Sequence, residues 1–337
     1  MGMRETPAGT GFFMPAEWAR HRRTWMMWPS RPQIWSDITA TKAAFAAVAK
    51  AIRRFEPVAM AVNFRDVDEA RRLLGPEIDV VPIGIDDSWA RDAGPCFLVD
   101  GKGGRAGTTF RFNAWGDKYF PYDRDASFGA ALLEREGLRR FASELVAEGG
   151  GVSVDGEGTL LTTDSCFPNA NRNPGWTRDA IGEELKRMLG VRQVVWLPGN
   201  PGEVETDGHV DAIAVFARPG VVLVEQSSLP GSDHDHAMHA NHAALLEARD
   251  AAGRPFELVM VPEADLARKD ERFCRSYVNS YFVNGGVIVP AYGIAMDEVV
   301  SDIYRRTFPD RTIVQVDVTA IAEGGGGIHC ITQQEPA

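Results

Sequence analysis

The sequence is short of several things, and each shortage removes a class of protein. Its four cysteines, Cys96, Cys166, Cys274 and Cys330, are far apart and form no CxxC pair. Disulfide scaffolds and thiolate zinc or redox motifs need denser or paired cysteines. No apolar run approaches the roughly 20 residues of a membrane-spanning helix, and the N-terminus lacks the apolar core of a secretory signal. Four free thiols in a reducing cytoplasm are therefore expected, with no membrane partner. Positive charge is in deficit: 36 Lys and Arg against 47 Asp and Glu leave a net charge of −11. Such a surface is a poor partner for nucleic acid and attracts small cations. Linkers and low-complexity tracts are also missing, so residues 1–337 read as one domain. A homo-oligomer is compatible with this composition.

What is present is repetition. Turn signals flanked by apolar alternation occur at "VDGKGG" (99–104), "VDGEGT" (154–159), "FARPGV" (216–221) and "VNGGVI" (283–288). Their spacing of roughly 55 to 65 residues suits repeated supersecondary modules. Helical patterning follows each turn, at 133–147, 178–190, 239–253 and 295–308. Short strands come next at 193–198, 257–262 and 312–318. Each unit reads strand–strand–helix–strand. A fifth is split between the chain ends: a strand at 23–29, a helix near 38–54 and a strand at 57–64 at one end, and "GIHCITQ" (327–333) at the other. An open array would leave unpaired strand edges. Pairing the terminal strands would close a ring of five units, and an ordinary α/β sandwich is the alternative.

Three stretches carry candidate chemistry. In "ETDGHVDAIAVF" (205–216), Asp207, His209 and Asp211 alternate, so a strand would point His209 and Asp211 to one side. Alone, a solvated hairpin arm is the better account of them. "DDSWARDAGPCFLVD" (86–100) leads into a strand, with Trp89 offering a flat face for a planar cation and Asp92 a bidentate carboxylate. A core tryptophan beside an Arg91–Asp92 surface pair is the plainer account. Glu148 precedes three glycines where a helix is expected to give way to a strand, which also reads as a simple helix stop.

The glycine run Gly324–Gly327 ends just before Cys330. Glycines allow close backbone approach, so the run is expected to form the hinge and floor of a site whose nucleophile is Cys330, with Gly327 part of that floor. His329, as a strand neighbour, is expected to face away from Cys330. The cluster His234, His236, His239 and His242 holds four of the seven histidines. It reads as a solvent-facing helix start, and no metal is assigned to it.

Taken together, "MPAEWARHRRTWMMWP" (14–29), "WARDAGP" (89–95), "FNAWG" (112–116), "VDGEGTLLTT" (154–163), "NRNP" (171–174), "ETDGHVD" (205–211), "SYVNSYFVNGGVIVPAYG" (276–293) and "GGGGIHCITQQEPA" (324–337) resemble the agmatine deiminase family, from about residue 12 onward. That family belongs to the guanidino-group-modifying superfamily. The resemblance implies a five-bladed α/β propeller. It also implies a set of catalytic residues: Cys330 as nucleophile, His209 as acid and base, Asp92 and Asp211 on the guanidinium, and Glu148 orienting His209. Trp89 and Gly327 would complete the substrate site, with no metal or organic cofactor. The implied reaction converts agmatine to N-carbamoylputrescine and ammonia through a covalent amidino-cysteine, a step toward putrescine. A deiminase or amidinotransferase acting on arginine, peptidyl-arginine or another alkylguanidine is the second reading. The chain departs from the family's pattern at Ala212 and in the loop at 227–242.

Overall fold

The computed structural model describes residues 5–266 and 272–337. Strand β1 (His21–Met27), helix α1 (Ile38–Arg53), β2 (Val58–Val62), α2 (Val67–Leu74) and β3 (Asp79–Pro82) come first. Three regular units follow. They are β4 (Cys96–Val99), β5 (Arg105–Arg111), α3 (Asp123–Arg135) and β6 (Arg139–Val146); β7 (Ser153–Val154), β8 (Thr159–Thr163), α4 (Arg178–Leu189) and β9 (Gln193–Leu197); then β10 (Ala214–Arg218), β11 (Val221–Gln226), α5 (Asp233–Glu247) and β12 (Glu257–Pro262). The last is β13 (Tyr281–Val283), β14 (Gly286–Ala291), α6 (Met296–Thr307) and β15 (Thr312–Asp317), after which β16 (Thr332–Pro336) ends the chain.

These strands form five small sheets, one per unit. Within each regular unit an antiparallel hairpin is followed, through the helix, by a parallel third strand. The tight turns rest on residues free to take positive φ, such as Gly220 (77°) and Gly285 (78°). Middle strands are covered on both faces: "VAMAV" of β2 is a continuous apolar run, and "TLLTT" of β8 carries threonines, and both are buried throughout. Third strands such as β15 are only partly covered. The fold is the closed ring of five units that the spacing suggested, the five-bladed α/β propeller that the resemblance implied. β16 pairs antiparallel with β1, with Met26 opposite Thr332 and Trp25 opposite Gln333, so the terminal strands close the first sheet. Among the described residues, no helix is long and apolar enough to cross a membrane. All four cysteines are unpaired.

Three expected elements fall differently. The helix expected at 133–147 is the end of α3 followed by β6. Gly137, at φ 65°, stops the helix, and beyond it burial alternates with period two, Phe141, Ser143 and Leu145 inward. The helix expected at 239–253 starts earlier, at Asp233, because the Ser232 hydroxyl caps it by accepting from the Asp235 amide. The strand expected at 327–333 begins only at Thr332, and "GIHC" is a turn.

Candidate active site

The candidate residues occupy one topological position in every blade: the connection that enters the blade's first strand. Asp92 sits in a helical turn (Ala90–Ala93) before β4, and Glu148 before β7. Asp211 lies in a 3-10 turn (Val210–Ala212) before β10, and Cys330 before β16. The fifth blade supplies Asn279 before β13, which sequence reading missed. The repeat was the signal for it, since "SYVNSY" stands where the other units carry their polar residue.

Cys330 is buried, and Asn279 holds it. The Asn279 amide nitrogen lies 3.3 Å from Sγ, while Asn279 Oδ1 accepts from the backbone amides of His329 (3.0 Å) and Cys330 (3.4 Å). Asp211 Oδ2 is 3.6 Å from Sγ. The same oxygen accepts from His329 Nδ1 at 2.7 Å. The strand-based expectation for His329 therefore fails on its premise, because residues 328–331 form a turn. The side chain turns to Asp211 instead.

His209 and Asp211 also reach the site from a turn rather than a strand. Asp207, expected on the same face, points away to Lys118 (2.9 Å) and Arg172. His209 Nε2 faces Glu148 Oε2 at 3.4 Å, with the Cys166 thiol beside it. Among the described residues its Nδ1 has no hydrogen-bond partner, and it looks toward Asp92 Oδ2 at 3.9 Å. Glu148 is fixed by Arg172 Nε at 2.8 Å, and follows a strand rather than the expected helix. Arg172 spends its remaining donors on Asn171, Asp207 and the Thr206 carbonyl. Asp92 accepts from Trp115 Nε1 and from the Gly150 amide, both at 2.9 Å. The plain alternative for Arg91 and Asp92 does not hold, since Arg91 is buried and donates to Gln334 at 2.8 Å.

These groups converge on a glycine. A methyl group on Gly150 would lie 2.5 Å from His209 Nδ1, 2.9 Å from Asp92 Oδ1 and 3.0 Å from Asp211 Oδ2. The glycine run before Cys330 serves close approach as well. Side chains at Gly324 and Gly326 would strike the Trp35 and Trp89 rings at 2.1 and 2.4 Å. The run is a floor packed against indoles. Gly327 lies against Asn279, where a methyl would meet Oδ1 at 2.5 Å.

Cys330, Asp92, Trp89, Trp115 and Gly324–Gly326 line a recess of about 350 Å³, and Tyr119, Asp87, Glu205 and Arg272 also belong to its lining. Trp89 meets Trp115 edge-on, ring centroids 6.5 Å apart. Arg272 is engaged by Glu205 at 3.3 Å and by the Gly324 carbonyl. Arg124 is largely exposed and lines a separate surface groove.

Burial pushes the Cys330 thiol well above its ordinary range, and the Asp211 and Asp92 carboxylates push it further. Burial also lifts the Asp92 carboxyl, against the His209 charge. For His209, burial acts downward, but Asp92, Cys166 and Glu148 outweigh it and hold the imidazolium well above the usual histidine range. Burial would raise Asp211, yet its hydrogen bond and charge interaction with His329 hold it down.

Two groups of the described residues could each offer three metal-ligand atoms: Glu148, Cys166 and His209, and Glu225, His234 and Glu263. The first is already compensated by Arg172. In the second, His234 sits 3.0 Å from Glu225 and 3.7 Å from Glu263. The other cluster histidines go elsewhere. His242 bonds the Glu225 carbonyl, His239 pairs with Asp235 on the surface, and His236 is exposed.

Residues 13–336 match the family model for Porphyromonas-type peptidyl-arginine deiminases. The chain belongs to that family. Within it, the chain is 42% identical to the agmatine deiminase of Stutzerimonas stutzeri, over 98% of this chain and 97% of the relative. It is 40% identical to the agmatine deiminase of Pseudomonas syringae pv. tomato, over 99% and 98% of the two chains. Among solved structures it is similar to the agmatine deiminase of Enterococcus faecalis, with a TM-score of 0.96, 35% identity, and coverage of 99% and 98%. The deiminase family thus covers every blade that lends a residue to the recess.

Proposed function

We propose that this chain hydrolyses agmatine to N-carbamoylputrescine and ammonia, with the whole ring acting as one catalytic domain. One observation carries the reading. Two buried carboxylates, Asp92 and Asp211, and the open nitrogen of His209 all face the space over Gly150, with the Cys330 thiol against Asp211. A planar guanidinium offers paired N–H groups, and two opposed carboxylates are its complement. They fix its carbon for attack. The similarity to agmatine deiminases over nearly the full length supports the same reading.

In the empty site the thiol is protonated, because two carboxylates and burial disfavour a third negative charge. A bound guanidinium reverses that balance: its charge favours the thiolate, whose proton passes to solvent as substrate binds and is taken back when product leaves. Cys330 attacks the guanidinium carbon to give a neutral tetrahedral adduct. The His209 imidazolium protonates one nitrogen, which leaves as ammonia. An amidino group remains on Cys330 as a thiouronium cation. Neutral His209 then takes a proton from water as the oxygen attacks the same carbon. Collapse expels the thiolate and leaves the ureido product, whose extra proton goes to ammonia. Glu148, itself anchored by Arg172, holds the imidazole.

Selectivity comes from the other end of the recess. An arginine substrate would bring a carboxylate toward Asp87 and Glu205, where Arg272 is already paired. Desolvating that carboxylate without a partner is costly, whereas agmatine's ammonium meets acidic groups. The four unpaired thiols fit a reducing compartment, and we assign the protein to the cytoplasm on that ground.

Ammonia release from agmatine, arginine and a peptidyl-arginine tests the assignment. Agmatine is expected to lead in kcat/KM, with release needing no added amine. A preference for arginine of about tenfold or more, roughly 1.4 kcal/mol in the transition state, refutes agmatine as the substrate. Turnover that requires an added amine makes the chain an amidinotransferase.

A further inference from the structure

His329 neighbours the nucleophile in sequence, yet its ring serves a different contact. Nδ1 lies 2.7 Å from Asp211 Oδ2, and Nε2 lies 2.8 Å from Glu17 Oε2. Both acceptors are carboxylate oxygens. A neutral imidazole has one N–H and can satisfy only one of them; the imidazolium has two and satisfies both. Glu17 is itself held, its other oxygen accepting from the Phe282 amide at 2.9 Å and Oε2 facing Arg91 Nη2 at 3.6 Å. Arg91 Nε also reaches the His329 carbonyl at 3.3 Å. The charges of Glu17, Arg91, His329 and Asp211 cancel within this buried set.

The set lies behind the recess. Glu17, Arg91 and His329 line a second cavity with Met14 and Trp18, and that lining shares no residue with the recess holding Cys330 and Asp92. Glu17 and His329 reach the nucleophile's side through Asp211, which His329 bonds at Oδ2 and which stands 3.6 Å from the Cys330 thiol. Asp211 is the joint between the two sides.

We propose that Glu17 and His329 are positioning residues: a carboxylate–imidazolium–carboxylate relay that fixes the plane and the charge of Asp211 from behind. The relay rests on the deiminase reading for its purpose, since Asp211 is the group that receives the guanidinium. A carboxylate pinned through Oδ2 cannot rotate away from substrate or from Cys330. An adjacent cation keeps it ionised where burial alone would protonate it. The electrostatics agree. Burial acts upward on both carboxylates, but His329 brings Glu17 down to about 2 and holds Asp211 below its ordinary range. On His329, burial and Arg91 act downward, and the two carboxylates outweigh them.

The test uses the full-length protein and the variants His329→Gln and Glu17→Gln. The readouts are melting temperature, kcat and KM for agmatine across pH, and 15N NMR of the histidine rings without substrate. Losing the cation should raise KM for agmatine roughly tenfold or more in His329→Gln, the range of a charge-assisted hydrogen bond, with a smaller change in kcat. The acid limb of kcat/KM should move to higher pH, because Asp211 must be ionised to hold the guanidinium and would keep only the charges of His209 and Arg91, without the hydrogen-bonded cation at Oδ2. Glu17→Gln should move both quantities the same way, by less. In the wild type the His329 ring should stay doubly protonated at pH 7, and Glu17→Gln should lower the pH at which it loses a proton. A packing role would lower the melting temperature and leave the limb in place. A folded Glu17→Gln or His329→Gln protein with wild-type KM and limb overturns the relay, as does a neutral His329 at pH 7. If His329→Gln does not fold, Glu17→Gln and the wild-type spectrum decide. A wild-type protein inert toward every guanidino compound, with His329 doubly protonated, would overturn the deiminase reading and leave the relay standing.

Discussion

Two buried imidazoles stand in this site, and they are wired differently. His329 has a carboxylate on each nitrogen, at 2.7 and 2.8 Å. His209 has Glu148 on Nε2 at 3.4 Å and an unpartnered Nδ1 directed at the space above Gly150. A ring with both nitrogens committed can hold charge and orientation but has no free position from which to exchange a proton with substrate. A ring with one nitrogen open can do so. The distinction between a proton-transfer group and a support is thus a matter of how many nitrogens the surroundings leave available, since burial and carboxylate neighbours are common to both.

The first way to sharpen the contrast is to remove what both rings serve. Cys330→Ser should abolish ammonia release with little change in melting temperature, because a hydroxyl is not the thiolate's equal at neutral pH. Acid-quenched wild-type enzyme should carry the amidino adduct on the Cys330 peptide, and full activity in the serine variant would end the covalent scheme. Next in size is His209→Gln, where kcat should fall by about 10²–10⁴, the usual contribution of a positioned acid–base group. KM should change little, opposite to the pattern expected of His329→Gln. Equal kcat losses in the two variants would erase the distinction drawn here. Smallest is the paired change His236→Ala and His239→Ala. Both side chains are exposed on α5, and kcat/KM and the metal content of tag-free protein should stay at wild-type values. A bound metal lost with these two residues would make the cluster a site.

The ring itself was legible because its period is written in turn residues. Asn284–Gly285 and Pro219–Gly220 stand between apolar runs and form two-residue hairpin turns. The 133–147 stretch misled because its apolar residues fit a helical spacing as well as an alternating one, and only Gly137 marks the break. Cys330, His209, Asp211, Asp92 and Glu148 were each visible in a motif. The secondary structure invoked for several of them was wrong, since turns deliver what strand alternation was asked to explain. Asn279 could have been inferred from the repeat. Glu17 and Cys166 could not: nothing local joins Glu17 to a residue 312 positions away, and only the closed ring brings them within 2.8 Å. The ties of Arg172 to Glu148 and Asp207 are long-range in the same sense.

Gly150 has only its backbone amide to lend, which holds Asp92, yet an imidazole and two carboxylates rest against its missing side chain. In a mutational scan scored by activity, such a position has no conservative neighbour, because alanine is already too large and no smaller residue exists. The sharpest intolerance in the map would then fall on a residue that performs no step of the reaction. It would record the outline of the substrate as faithfully as any group that touches it.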